Sequence, residues 1–160
     1  MQYCYFNSPI GKLLLAGNAQ QLELLGFPQG SLNHKPESDW QYTEQPFAAW
    51  CTQLEQYFAG KRQIFDLPYK IQGTAFQQQV LNAVANVPYG KTSSYAAIAA
   101  QIQNPKAVRA VGLANGSNRL PIIIPCHRII NKSGALAGFG GGVATKRFLL
   151  DLESLHYLNL

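Results

Sequence analysis

Ile122-Ile123-Ile124-Pro125-Cys126-His127-Arg128-Ile129-Ile130 sets a proline, a thiol, an imidazole and a guanidinium between two runs of isoleucine. Consecutive β-branched residues read as buried strand. Pro125 cannot donate to a ladder, so the strand pattern must break at the cysteine. Free cysteine is among the most buried residue types, and the plain reading of Cys126 is a small core residue. Against it stand three neighbours that a core strand would not select. A thiol beside an imidazole and a guanidinium is also in a setting that favours thiolate. The segment is read as an interrupted buried strand that carries a nucleophile.

The remaining chain is sized for one compact domain or two small ones, with 160 residues of which 47% are hydrophobic and 13% charged. No apolar run is long enough to span a bilayer. Residues 1–6 lack the basic and apolar regions of a secretory leader, so a cytoplasmic location is expected. Cysteines at 4, 51 and 126 are odd in number and widely spread, which argues for a reducing compartment. They lack paired zinc spacing, and His34 and His156 add no cluster, so no metal is expected. Charge is divided unevenly. Residues 1–70 hold five Lys/Arg against six Asp/Glu, a net of −1, and residues 71–160 hold eight against two, a net of +6. From Leu67 to Leu150 there is no carboxylate. An acid-free span of that length points to a polyanion, most simply nucleic acid.

The apolar runs 2–6, 12–17 and 21–27 predict a small antiparallel meander, and 28–42 a loop. Phe47, Trp50, Leu54, Tyr57 and Phe58 predict a helix from about Thr43 to Ala59, covering one face of the sheet. A second unit begins near residue 71. Thr74 caps a helix to about Asn86, and a second helix follows from Ser93 to Gln103. Asn104-Pro105 predicts a third helix start, with the helix running to Asn115. Two short helices joined by a tight turn make a helix-turn-helix, and a plain three-helix core is the alternative. On the third helix Val108 and Val111 are expected to face inward. Lys106, Ala107, Arg109, Ala110, Leu113 and Ala114 are expected to face outward. Ile129–Ile130 and Ala135–Leu136 could form a hairpin or wing around residues 131–134. Gly138-Phe139-Gly140-Gly141-Gly142 is either a flexible linker or a backbone wrapped closely about a flat ligand. A last helix, Val143 to Leu155, carries basic residues early and acidic ones late. That order opposes the helix dipole, so Glu153 is placed for something other than helix stability.

Ile124-Pro125-Cys126-His127-Arg128-Ile129 resembles the acceptor-cysteine motif of the O6-alkylguanine-DNA alkyltransferases, the methylated-DNA–protein-cysteine methyltransferases. Gly73-Thr74-Ala75-Phe76-Gln77, Val87-Pro88-Tyr89-Gly90, Tyr95, residues 107–112 and Asn118 are similar to the family in the same order. The resemblance covers residues 71–155 closely and 1–70 loosely. It implies an α/β protein: a small N-terminal antiparallel sheet plus helix (1–70, scaffold), then a mostly helical, winged-helix-like DNA-binding domain (71–160). It implies that Cys126 takes the methyl of O6-methylguanine once and irreversibly, with O4-methylthymine a second candidate lesion. His127 would activate the thiol, through a bridging water because neighbours on an extended segment face opposite ways. Glu153 would orient the imidazole, Tyr95 would protonate the departing base, and Asn118 would tie the preceding turn. Arg109 would fill the gap left by a flipped base. Ala110, Thr92, Ser94, Lys106, Ala107, Ala114 and Arg128 complete the expected DNA contacts. Phe139, Gly140 and Ala137 form the expected substrate pocket.

The resemblance also implies no cofactor and no metal, a monomer, and double-stranded DNA containing alkylated bases as partner. Phe139 stands where relatives often have tyrosine, Gly140 where they often have serine, and Ala137 at a usual glycine place. Two other classes compete. A helix-turn-helix module that only binds alkylated DNA would lack the cysteine. A cysteine hydrolase would need a distant histidine base and an oxyanion site at a helix N-terminus, and Cys126 follows an apolar run.

Overall fold

The computed structural model describes residues 1–136 and 138–158. The first three apolar runs form the expected meander. They are β1 (Gln2–Ser8), β2 (Gly11–Gly17) and β3 (Leu22–Gly26), with successive neighbours antiparallel. β2 is apolar without alternation because both its faces are covered. Leu13 and Leu15 enter the main core, while Leu14 and Ala16 meet Leu24 in a smaller cluster against Tyr3 and Trp40. A fourth strand, β4 (Gln41–Tyr42), lies in the stretch read as loop and pairs parallel with β1, giving a mixed sheet of order β3-β2-β1-β4. Two residues are too few to show a period, so the strand left no pattern in the sequence.

A 3₁₀ turn at Gln45–Phe47 leads into α1 (Ala48–Phe58), whose buried Trp50, Leu54 and Tyr57 share one face. Gly60, at φ 74°, turns the chain out of the helix. α2 (Ala75–Ala85) opens in a full capping box. The Thr74 hydroxyl accepts from Gln77 N–H at 3.1 Å, and the Gln77 side chain accepts from Thr74 N–H at 2.9 Å. β5 (Ser93–Ser94) precedes α3 (Tyr95–Gln101), where the Ser94 hydroxyl accepts from Ala97 N–H at 3.0 Å.

Asn104-Pro105 does not start the next helix. Gln103 sits at φ 62°, its N–H donates to Ala100 O at 3.0 Å, and Asn104 N–H donates to Ala99 O at 2.9 Å. That pair of bonds terminates α3, so Asn104 belongs to the stop of one helix instead of the cap of the next. α4 therefore spans Val108–Gly116, with Ala107 at its cap and no side-chain capping bond.

The Cys126 stretch is not an interrupted strand. Cys126–Arg128 form a single 3₁₀ turn, followed by β6 (Ile129–Ile130), which pairs parallel with β5. The expected pairing of β6 with Ala135–Leu136 is absent among the described residues. Two bonds, Gly134 N–H to Asn131 O at 2.8 Å and Asn131 N–H to Ala135 O at 3.3 Å, close that turn instead. α5 (Val143–His156) ends the described fold. One apolar core runs through both halves, from Leu13, Leu54 and Tyr57 to Val80, Ile98 and Leu149. No helix among the described residues is long and apolar enough to cross a membrane.

Candidate active site

The turn before the cysteine is held by side chains. Asn118 Nδ2 donates to Ile124 O at 2.8 Å, and its Oδ1 accepts from Leu120 N–H at 2.9 Å. Ile122, wholly buried, takes φ 74°. That region is hostile to a β-branched residue, so the surrounding contacts must impose it. The Asn115 amide on α4 reaches Cys126 O at 3.4 Å. Asn115 and Asn118 thus place Cys126 at the foot of α4.

Because the cysteine lies in a 3₁₀ turn, its neighbours point inward together. His127 is fully buried, and its Nε2 lies 2.7 Å from Glu153 Oε2 on α5. Arg128 grips the same carboxylate from both sides, with Nε to Oε1 at 2.7 Å and Nη2 to Oε2 at 3.0 Å, and its Nη1 donates to Val87 O at 2.7 Å. Tyr57 on α1 donates its hydroxyl to Glu153 Oε2 at 2.6 Å. The orientation of Glu153 against the helix dipole has its reason here: the carboxylate is a buried hub that takes four hydrogen bonds from three side chains.

Electrostatics correct one expectation. Burial pushes the Cys126 thiol up to about 11, more than Asn118 and Lys146 pull it down. The neighbours that argued for a resting thiolate are committed elsewhere, the guanidinium to Glu153 and to Val87 O. The resting sulfur is a thiol. Burial likewise lowers His127, keeping the imidazole neutral near pH 7. Burial would raise Glu153, but its hydrogen bonds with His127 and Arg128, the Arg128 charge, and the charge that His127 gains in acid overcome it and bring the carboxyl down to about 2. With His127 neutral, Arg128 is the standing charge that keeps Glu153 ionised. An ionised acceptor at Nε2 assigns the imidazole proton to that nitrogen, leaving Nδ1 as the lone-pair site. Nδ1 is buried with no hydrogen-bond partner among the described residues. Burial also raises Tyr95, so its phenol stays protonated and able to donate.

Tyr95, Arg109, Val108, Gly112, Leu113, Asn131 and Gly138 line an open cavity of about 570 Å³. Cys126 itself faces only a crevice of about 10 Å³, shared with Asn115, Phe139, Gly140 and Leu32. That space is the size of one water at most, and the Phe139 segment forms one of its walls. This segment is not a free linker. Phe139 packs on Phe27 with centroids 5.8 Å apart, a Cβ on Gly141 would collide with the Phe27 ring, and Gly140 O accepts from Leu32 N–H at 3.3 Å. Ala137 lies outside the described residues.

Of the residues expected to face DNA, Arg109, Ala110, Lys106 and Thr92 are exposed, while Ala107 and Ser94 are half-buried, Ser94 as a helix cap. Two are not on that face. Ala114 is buried and packs in the core, and Arg128 is 6% exposed with its guanidinium on Glu153. Val108, expected inside, is exposed, because α4 starts later and its buried stripe runs through Val111, Ala114 and Asn115. Tyr57, Asn115 and Lys146 were missed. Lys146, fully buried on α5, donates to Ile129 O at 2.6 Å. Its spacing to Glu153, i to i+7 through Leu149, was the available signal. Nothing in the sequence ties Tyr57 to a carboxylate 96 residues away.

A buried thiol followed in the chain by a neutral imidazole that an ionised carboxylate holds supplies the groups of an activatable cysteine. Comparison with known proteins agrees over both halves. The model of the 6-O-methylguanine DNA methyltransferase DNA-binding domain matches residues 75–155, and that of the same family's ribonuclease-like domain matches residues 1–71. A methylated-DNA–protein-cysteine methyltransferase of Methanosarcina acetivorans is 46% identical, over 96% of this chain and 98% of the relative. One of Mycobacterium tuberculosis is 46% identical, over 96% of this chain and 92% of the relative. The crystal structure of Mycobacterium tuberculosis OGT in complex with DNA superposes with a TM-score of 0.91 at 44% identity, covering 98% of this chain and 94% of that one. The chain belongs to the 6-O-methylguanine DNA methyltransferase family.

Proposed function

We propose that this protein repairs DNA by moving the alkyl group of O6-methylguanine onto Cys126, once per molecule. The observation that carries the reading is the buried Cys126, followed by a buried His127 whose imidazole is held by Glu153, with Asn115 of α4 reaching the Cys126 carbonyl. The resting thiol needs a base, and His127 Nδ1 is the lone pair on offer, reached through one bridging water. Glu153 orients the imidazole and stabilises its charged form once the proton has moved. The thiolate sulfur then bonds to the methyl carbon as the carbon–O6 bond breaks. Tyr95 gives the departing base its proton, so guanine leaves neutral. The thioether has no leaving group, and the protein is consumed.

The lesion must leave the stack to be reached, because its methyl carbon is shielded in duplex. α3 and α4 act as a helix-turn-helix, with Arg109 filling the vacated place and Lys106, Ala107, Ala110 and Thr92 along the backbone. Phe139 and Gly140 give way to admit the base. Residues 71–160 carry this chemistry on the scaffold of residues 1–70. O4-methylthymine presents the same O-alkyl group and is the second lesion assigned to the site. The protein acts as a cytoplasmic monomer on duplex DNA, where a reducing environment keeps its three cysteines as thiols.

Incubation with a duplex containing O6-methylguanine should add one methyl group to the Cys126 peptide, read by mass spectrometry. Cys126→Ala should still bind the duplex and leave the lesion intact. A methyl on another residue, or turnover beyond one equivalent, would overturn the mechanism.

A further inference from the structure

We propose that Tyr57 is a positioning residue for alkyl transfer: from α1, in the N-terminal half, its hydroxyl fixes the carboxylate that governs the proton on His127. The inference rests on the proposed alkyl transfer and extends it to a residue outside the DNA-binding half.

Tyr57 Oη lies 2.6 Å from Glu153 Oε2, the oxygen that also sits 2.7 Å from His127 Nε2. Tyr57 and His127 are both completely buried. A buried phenol needs an acceptor, but any carbonyl would serve that need. Glu153 does not need the donor, since Arg128 already takes both its oxygens. The bond therefore has a consequence beyond satisfying two polar groups. A donor on Oε2 draws charge from that oxygen and weakens its pull on an imidazolium. It also stops the carboxylate rotating away from Nε2, which preserves the tautomer that leaves Nδ1 as the base. Burial pushes the Tyr57 hydroxyl well above its ordinary range, so it stays a neutral donor at every working pH.

His127 can accept the Cys126 proton only while it is neutral. The groups that act on it are Glu153 and Lys146 on α5, Arg128 in its own turn, Tyr57 on α1 through Glu153, and Tyr89 after α2, which interacts with both Glu153 and Arg128; Cys126 precedes it in the chain. Glu153 is the one of these that draws a proton to His127. Tyr57 restrains that attraction from across the boundary between the halves.

Tyr57→Phe in the full chain removes only the hydroxyl. The rate of single-turnover methyl transfer from an O6-methylguanine duplex should then show its acid limb moved to higher pH by about half a unit or more, roughly a threefold loss of rate on that limb, with the alkaline plateau kept. ¹⁵N NMR of the His127 ring without DNA should show its titration midpoint moved the same way. Tyr57 replaced by 3-fluorotyrosine, a stronger donor of nearly the same shape, should move both readings to lower pH. It is also the variant to use if Tyr57→Phe does not fold. An unshifted rate profile and an unshifted His127 midpoint, whatever the loss of stability, would reduce Tyr57 to packing. If the wild-type chain transfers no methyl, the proposed function fails, while the NMR midpoints still decide the link from Tyr57 through Glu153 to His127.

Discussion

At the residue scale the decisive group is Glu153, 1% exposed and shared by a phenol, an imidazole and a guanidinium. Breaking a buried pair leaves the partner's charge without compensation. Glu153→Gln should therefore cost about 3–5 kcal/mol, read from urea denaturation, because Arg128 stays buried without its counter-charge. A cost below about 1 kcal/mol would mean that Arg128 relaxes into solvent. The pH dependence follows from the depressed carboxyl. Its folded value of about 2 lies below its ordinary 4.5, so its contribution is complete above about pH 4.5 and disappears as pH falls through 2. His127 acts in the same direction, since burial lowers it from 6.5 and protonation favours the unfolded chain. Stability should thus fall from about pH 6.5 downward, and Glu153→Gln should flatten the part of that fall below pH 4.5.

At the element scale, how each helix starts and stops decides what it presents. α2 begins where the sequence says, because Thr74 and Gln77 satisfy each other's backbone N–H groups locally. Thr74→Ala should cost about 1 kcal/mol, lower the urea midpoint and leave the urea slope and methyl transfer unchanged. A change in transfer rate would mean that α2 positions the site and does not merely support it. α4 shows the opposite case. The left-handed Gln103 terminates α3, and the helix then starts three residues after Asn104-Pro105, at Val108. That delay turns Val108 and Arg109 outward and buries Ala114. Arg109→Ala should therefore harm transfer from duplex and spare transfer from free O6-methylguanine base. Equal loss on both would contradict a gap-filling role.

At the scale of the whole molecule, the net of −1 on residues 1–70 and +6 on residues 71–160 suits the second half to a polyanion, the DNA of the proposed function. Affinity for duplex should fall steeply with salt as phosphate contacts release counterions, and Lys106→Ala should lower the slope of log affinity against log salt by roughly one. A slope near zero in the wild-type chain would remove the electrostatic reading altogether. The same division of charge does not make the halves independent. The core runs through both, Phe27 and Leu32 of the first half pack against the segment over Cys126, and Tyr57 joins the hub at Glu153.

The linear order of residues was enough for the meander, the capping of α2, the acid-free face and the attention drawn to Cys126, His127 and Glu153. Each of these depends on local propensity, on spacing within one element or on summed charge, and such quantities survive without coordinates. It was not enough for β4, for the start of α4, for the protonation of the sulfur or for the places of Arg128 and Tyr57. Those depend on which distant groups meet in the interior. There, removal of water outweighs the neighbours that would favour a thiolate, and a carboxylate 25 residues on takes the arginine that had seemed destined for DNA.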